Sequence, residues 1–175
     1  MPATYTLIAS NTLGSSAASV TFSAIPNTFT DLVLRISTRT TNAGSWQNFP
    51  YIDFGSSQTQ STTMLAGNGS ASKSRATTGT TGYLLNYDDF EGSDSGGNTA
   101  STFDNIEVYI PNYTSTVQKP MSGYGVAENN TTKSYIQATA LLSARTTAIS
   151  TIRIYSDGQT FASGSSFFLY GIKNS

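Results

Sequence analysis

Apolar and polar residues alternate with a period of two along most of this chain, the pattern of strands buried on one face. Val20, Phe22 and Ala24 fall on one side of a run whose other side is Ser and Thr, and Leu32, Leu34 and Ile36 alternate with Val33, Arg35 and Ser37. Ile152 and Ile154 oppose Thr151, Arg153 and Tyr155, while Phe167, Leu169 and Gly171 oppose Phe168, Tyr170 and Ile172. Tyr5 and Leu7 alternate with Thr4, Thr6 and Ile8 in the same way. These and similar runs predict about ten short strands, at 3–9, 19–25, 31–40, 46–54, 82–87, 102–110, 123–128, 134–142, 149–155 and 166–172. Turn signals separate them, among them Pro26-Asn27, Asn68-Gly69, Pro111-Asn112, Asp157-Gly158 and Ser163-Gly164.

No segment carries a sustained helical period; residues 141–147 have room for one helical turn at most. Two stretches rich in Ser, Thr, Gly and Asn, 56–81 and 91–101, read as long loops, which in a compact domain are usually functional or interface-forming. Many short strands joined by Gly, Asn and Pro turns predict an all-β fold, an antiparallel β-sandwich of jelly-roll type. With 175 residues and no internal repeat or boundary, the expectation is one domain over 1–175, with residues 1–8 as an N-terminal contact arm.

Composition sharpens this picture. Only 11% of residues are charged, against a usual ~25%, and Ser and Thr make up about thirty percent of the chain. The solvated faces are therefore hydroxyl and amide rather than ionic. A net charge of −1 and 11% aromatics argue against disorder, which goes with high charge and few aromatics. The chain has neither Cys nor His. That removes disulfides, thiolate metal sites, cysteine nucleophiles, imidazole acid–base catalysis and the Ser-His-Asp triad. Nine scattered basic residues against ten acidic ones give no footprint for nucleic acid, and no apolar run reaches the ~20 residues of a membrane-spanning helix. The expected protein is no enzyme, needs no cofactor, and binds neither nucleic acid nor membrane.

Three groups of residues remain as candidates. The acidic run Asp88, Asp89, Glu91 and Asp94, followed by Asp104, offers hard oxygen ligands in a Gly-rich segment suited to Ca²⁺. Its spacing departs from the EF-hand loop, and a solvated acidic loop is the favoured reading, with the cation site as the alternative. A glycosidase would need two carboxylates about 5 to 9.5 Å apart; Asp53, Glu107 and Glu128 lie on or beside strands, but their spacing selects no pair. Aromatics able to stack on sugars or pack at a subunit interface are Tyr5, Trp46, Phe49, Tyr51, Tyr83, Tyr87, Tyr113 and Tyr124, with Gln47 and Asn48 beside Trp46. Tyr5, Trp46, Tyr51 and Tyr113 are the leading contact residues of this set. Four Asn-x-Ser/Thr triplets, at Asn68, Asn112, Asn129 and Asn130, are what twelve Asn in so hydroxyl-rich a chain produce by chance.

Several phrases carry a resemblance. They are Tyr5-Thr6-Leu7-Ile8-Ala9; Ser16-Ala17-Ala18-Ser19-Val20-Thr21-Phe22-Ser23-Ala24-Ile25-Pro26; Phe29-Thr30-Asp31-Leu32-Val33-Leu34-Arg35; Ile110-Pro111-Asn112-Tyr113; and Gly164-Ser165-Ser166-Phe167-Phe168-Leu169-Tyr170-Gly171-Ile172-Lys173. From first strand to last the chain resembles small virion structural proteins of tailed bacteriophages. Those phrases mark strands and turns, so they speak for a fold and a setting more than for an activity. The resemblance implies a capsid decoration (cement) protein on the virion surface, assembled in the host cytoplasm, that bridges adjacent major capsid protein subunits. It also implies a homo-oligomer, a trimer before a dimer. The alternative within the same setting is a receptor- or glycan-binding module of a tail or appendage. A hydroxyl-rich β protein without thiols or imidazoles suits an exposed particle surface, since it neither oxidises at Cys nor titrates at His near neutrality.

Overall fold

The computed structural model describes residues 4–41, 50–55, 60–79, 83–84, 99–128, 134–156 and 158–173, with only the backbone of 83–84. Every described element is a strand. They are β1 (Tyr5–Thr12), β2 (Ser19–Phe22), β3 (Asp31–Thr38), β4 (Pro50–Asp53), β5 (Gln60–Gly67), β6 (Ser72–Thr78), β7 (Tyr83–Leu84), β8 (Asp104–Ile110), β9 (Lys119–Glu128), β10 (Ser134–Ser143), β11 (Ile152–Ser156) and β12 (Ser166–Ile172). Eight form one antiparallel sheet in the order β1-β12-β3-β8-β9-β10-β5-β6, and four form a second in the order β2-β11-β4-β7.

The connectivity is that of a jelly roll with two insertions. Take β1, β12, β3 and β8 as one sheet and β2, β11, β4 and β7 as the other, and successive strands cross from sheet to sheet, except β4 and β7, which pair within one sheet, with first and last paired, as in two Greek keys. The hairpin β5–β6 is inserted between β4 and β7, and the pair β9–β10 between β8 and β11. Both insertions join the same sheet, beside β8. One layer is therefore twice as wide as the other.

Alternation supplies the core. From the large sheet, Leu32, Leu34, Ile36, Ile106, Val108, Ile110, Phe167 and Leu169 point inward; Val20, Phe22, Ile52, Ile152 and Ile154 meet them from the small sheet. Phe161 packs edge-on against Phe167 with ring centroids 5.1 Å apart. Gly171 sits on this inner face because Phe29 lies over it: a Cβ there would come within 2.3 Å of the Phe29 ring.

Several expectations change. Residues 60–78, read as loop, hold the hairpin β5–β6, turning at Asn68-Gly69, where Asn68 Oδ1 accepts the backbone N–H groups of Ser70 and Ala71. The inward positions of β5 are Gln60, Thr62 and Met64, all buried, so its alternation is polar rather than apolar and is invisible to a hydrophobic reading. Residues 141–147 form no helical turn, because Leu141–Ser143 continue β10 in register with β9 and β5. The expected arm 1–8 is, from Tyr5 onward, an edge strand paired to β12, and Tyr5 stands opposite Ile172. A register shift between Leu7 and Ala9 turns Ile8 as well as Ala9 toward the core.

Candidate interaction surfaces

An antiparallel sheet with one face in water normally reads apolar inward and polar outward. The outer face of the large sheet departs from this. Of the large hydrophobic side chains that are exposed, Tyr5, Leu7, Leu65, Tyr109, Tyr124, Ile136 and Leu142 all sit on outward positions of its strands; the exception among the described residues, Val117, is in a turn. Leu65, Ile136 and Tyr124 are 61%, 50% and 49% exposed. Cross-strand pairing sets them side by side, since Leu65 faces Ala138, Ala138 faces Tyr124, and Ile136 faces Val126.

Charge is paired at the middle of this face, and the carboxylates of Asp31 and Glu128 stand at its ends. Arg35 Nε donates to Glu107 Oε2 at 2.8 Å across the β3–β8 pair, and the guanidinium lies 5.7 Å from the Tyr5 ring centroid and 5.9 Å from that of Tyr170. Tyr5 meets Tyr170 edge-on, and Phe168 stacks beside Tyr170. Toward one end of the face the Tyr109 hydroxyl donates to Asp31 Oδ2 at 2.6 Å, while Asp31 Oδ1 accepts the Asn112 N–H at 2.8 Å. The hydrogen bond to Asp31, with burial and the neighbouring negative charge, pushes the Tyr109 phenol up to about 12.

A smaller cluster occupies the outer side of the four-stranded sheet. Tyr51 and Tyr155 stand opposite each other on β4 and β11 with rings stacked at 5.3 Å, and the Arg153 guanidinium is 4.5 Å from the Tyr155 centroid. Arg153 is bound to Asp53 through Nη2 at 2.6 Å and Nε at 2.8 Å, and Asp53 Oδ1 accepts the Gly55 N–H.

The residues singled out from the sequence scatter. Tyr5 is exposed on the large face and Tyr51 is half-buried in the small cluster. Tyr113 belongs to neither surface: its side chain is fully buried and its hydroxyl donates to the Pro26 carbonyl, so it cannot touch a partner or a sugar. Burial pushes its phenol above the usual tyrosine range. Trp46, Phe49 and Tyr87, and the acidic candidates Asp88, Asp89, Glu91 and Asp94, lie outside the described residues, whereas Asp104 is buried at the start of β8. Among the described residues no group of three or more acidic side chains is placed to hold a metal ion, and no helix is long and apolar enough to cross a membrane.

The three strand carboxylates do not converge on a groove. Asp53 lies on the small sheet, Glu107 on the large one, and Glu128 accepts the Thr99 hydroxyl at 2.8 Å. Tyr124 pairs with Glu107, so Glu128 stands four residues farther along β9, about 13 Å away at strand rise. The sequence reading missed Tyr109, Ile136, Leu142, Leu65, Phe168 and Tyr170 as surface residues. A signal was present: residues 166–172 are apolar on both faces, which in a two-layer fold means that the outer face also wants cover. Comparison of the chain with family models, curated proteins and solved structures finds no match.

Proposed function

We propose that this chain is a structural protein of a tailed-phage virion, acting as a capsid decoration protein that stabilises the shell by bridging adjacent major capsid protein subunits. It works through buried surface and involves no chemical step. One observation carries the reading: the outer face of the eight-stranded sheet is broad and rich in exposed apolar side chains, with its central charges paired, a surface suited to cover by protein rather than water. The virion setting comes from the strand and turn phrases that resemble small phage structural proteins, and the low charge and absent thiols suit an exposed particle.

Imaging particles that carry the labelled protein tests this. Many copies on the shell, together with a loss of heat or osmotic resistance when the protein is withheld, are expected; absence from the shell overturns the reading. A second reading, a glycan-binding module of a tail or appendage, rests on the Tyr51–Tyr155 stack beside Arg153 and Asp53, which offers an aromatic ring next to planar polar groups. It predicts few copies at the tail and loss of polysaccharide binding in Tyr51→Ala and Trp46→Ala.

A further inference from the structure

We infer that the outer face of the eight-stranded sheet is covered by the same face of a second copy, giving a two-fold dimer in which the two large sheets stack face to face. This rests on reading the face as one that protein buries, and names the protein.

Size is the first argument. Eight strands at about 4.8 Å spacing and seven residues at about 3.4 Å rise give a face of roughly 34 by 23 Å, near 800 Å². A stable interface of standard size buries about that much on each partner. Shape is the second. Sheets pack face to face when their mean strand directions differ by about 30°, an angle that arises from the twist of each, and two copies of one sheet have the same twist by construction. A helix or a loop would cover only part of so wide a surface.

Charge is the third. Arg35 and Glu107 already bind each other, and Arg35 is further held over Tyr5 and Tyr170. Asp31, at the margin, is bonded to Tyr109 and Asn112. The middle of the face therefore carries no unpaired charge, and the remaining carboxylates, Asp31 and Glu128, stand at opposite ends of it, away from Leu65, Tyr124 and Ile136. Its apolar residues come largely from the inserted strands: Leu65 from β5, Tyr124 from β9, Ile136 and Leu142 from β10. A flat face mated with itself closes at two copies, where the phage resemblance suggested three.

Sedimentation of the full chain through serial dilution, with Ile136→Lys and Tyr124→Lys beside it, tests the pairing. Both positions are half-exposed, so the monomer fold is expected to survive, as checked by circular dichroism and melting. Wild type should run at twice its 18.5 kDa, and either lysine should weaken association by about a hundredfold. Thr21→Lys, on the opposite sheet, should leave the dimer intact. A wild-type monomer at all concentrations, a trimer, or a dimer indifferent to both face lysines overturns the pairing. Adding the same variants to decorated particles separates the two failures. If wild type is monomeric but Ile136→Lys falls off the shell, the face is still one that protein buries, with the shell as occupant. If neither self-association nor shell binding responds, the reading of the face fails as well.

Discussion

Lys119 shows how a single residue is held in a sheet protein with few charges. It is 1% exposed, and its ammonium donates to the carbonyls of Ser115, Val117 and Arg145 at 2.9, 3.1 and 3.1 Å. Three N–H donors meet three carbonyls, tying the turn before β9 to the segment after β10. Lys119→Met keeps the bulk and removes the donors, so it should cost about 3 kcal/mol, a fall of roughly 6–12 °C in Tm by calorimetry. Burial, with Arg145 nearby, lowers the Lys119 pKa from its ordinary value. Between the lowered folded value and the unfolded one the unfolded chain holds more protons, so stability from this residue rises with pH across that window and the rise vanishes in Lys119→Met. Tyr109 does the opposite. Its phenol, raised to about 12, contributes stability that is complete below pH 10 and is lost as pH climbs through 12. Ultraviolet titration should show late phenolates from Tyr109 and Tyr113, of which one disappears in Tyr109→Phe and ionises earlier in Asp31→Asn, while the other persists in both variants.

Among the elements, the two ends of the large sheet are protected differently. β1 has no charged residue and is interrupted by its bulge at Ile8, whereas β6 is regular but carries Lys73 and Arg75 on its core-side positions. Bulges and inward-pointing charges both keep an edge from pairing with another chain. Lys73→Thr with Arg75→Thr retains good strand formers and removes the charge, so light scattering should show faster aggregation on warming than for wild type. The elements also mark what a sequence can reveal. Leu32, Leu34 and Ile36 or Ile152 and Ile154 announce their strands because they face a dry core. β5 stays hidden because its inward side is Gln60, Thr62 and Met64, and in this part of the sheet Gln137 Nε2 donates to Thr139 Oγ1 at 2.9 Å within the interior. Period two reveals two faces but not which of them is wet. For that reason Tyr124 was legible as a contact aromatic while Ile136 and Leu65 were not, and Tyr113, similar in sequence signal, turned out to be core.

For the whole molecule, the insertions explain the asymmetry between layers. The small sheet alone would match a four-stranded partner; β5–β6 and β9–β10 double the larger layer and bring most of its outward apolar residues. The pairing of first and last strands has a consequence in time. Among the described residues β1 has a single neighbour, β12, and β12 also lies between β1 and β3, so this end of the large sheet cannot form until β12 has left the ribosome. Strands joined only by such distant contacts form slowly, and a chain stopped before Ser166 should lack cooperative melting altogether. The Arg35, Tyr5 and Tyr170 cluster draws one residue from each of these three strands. Its assembly waits for β12, and a translation product that stops before that strand never displays it.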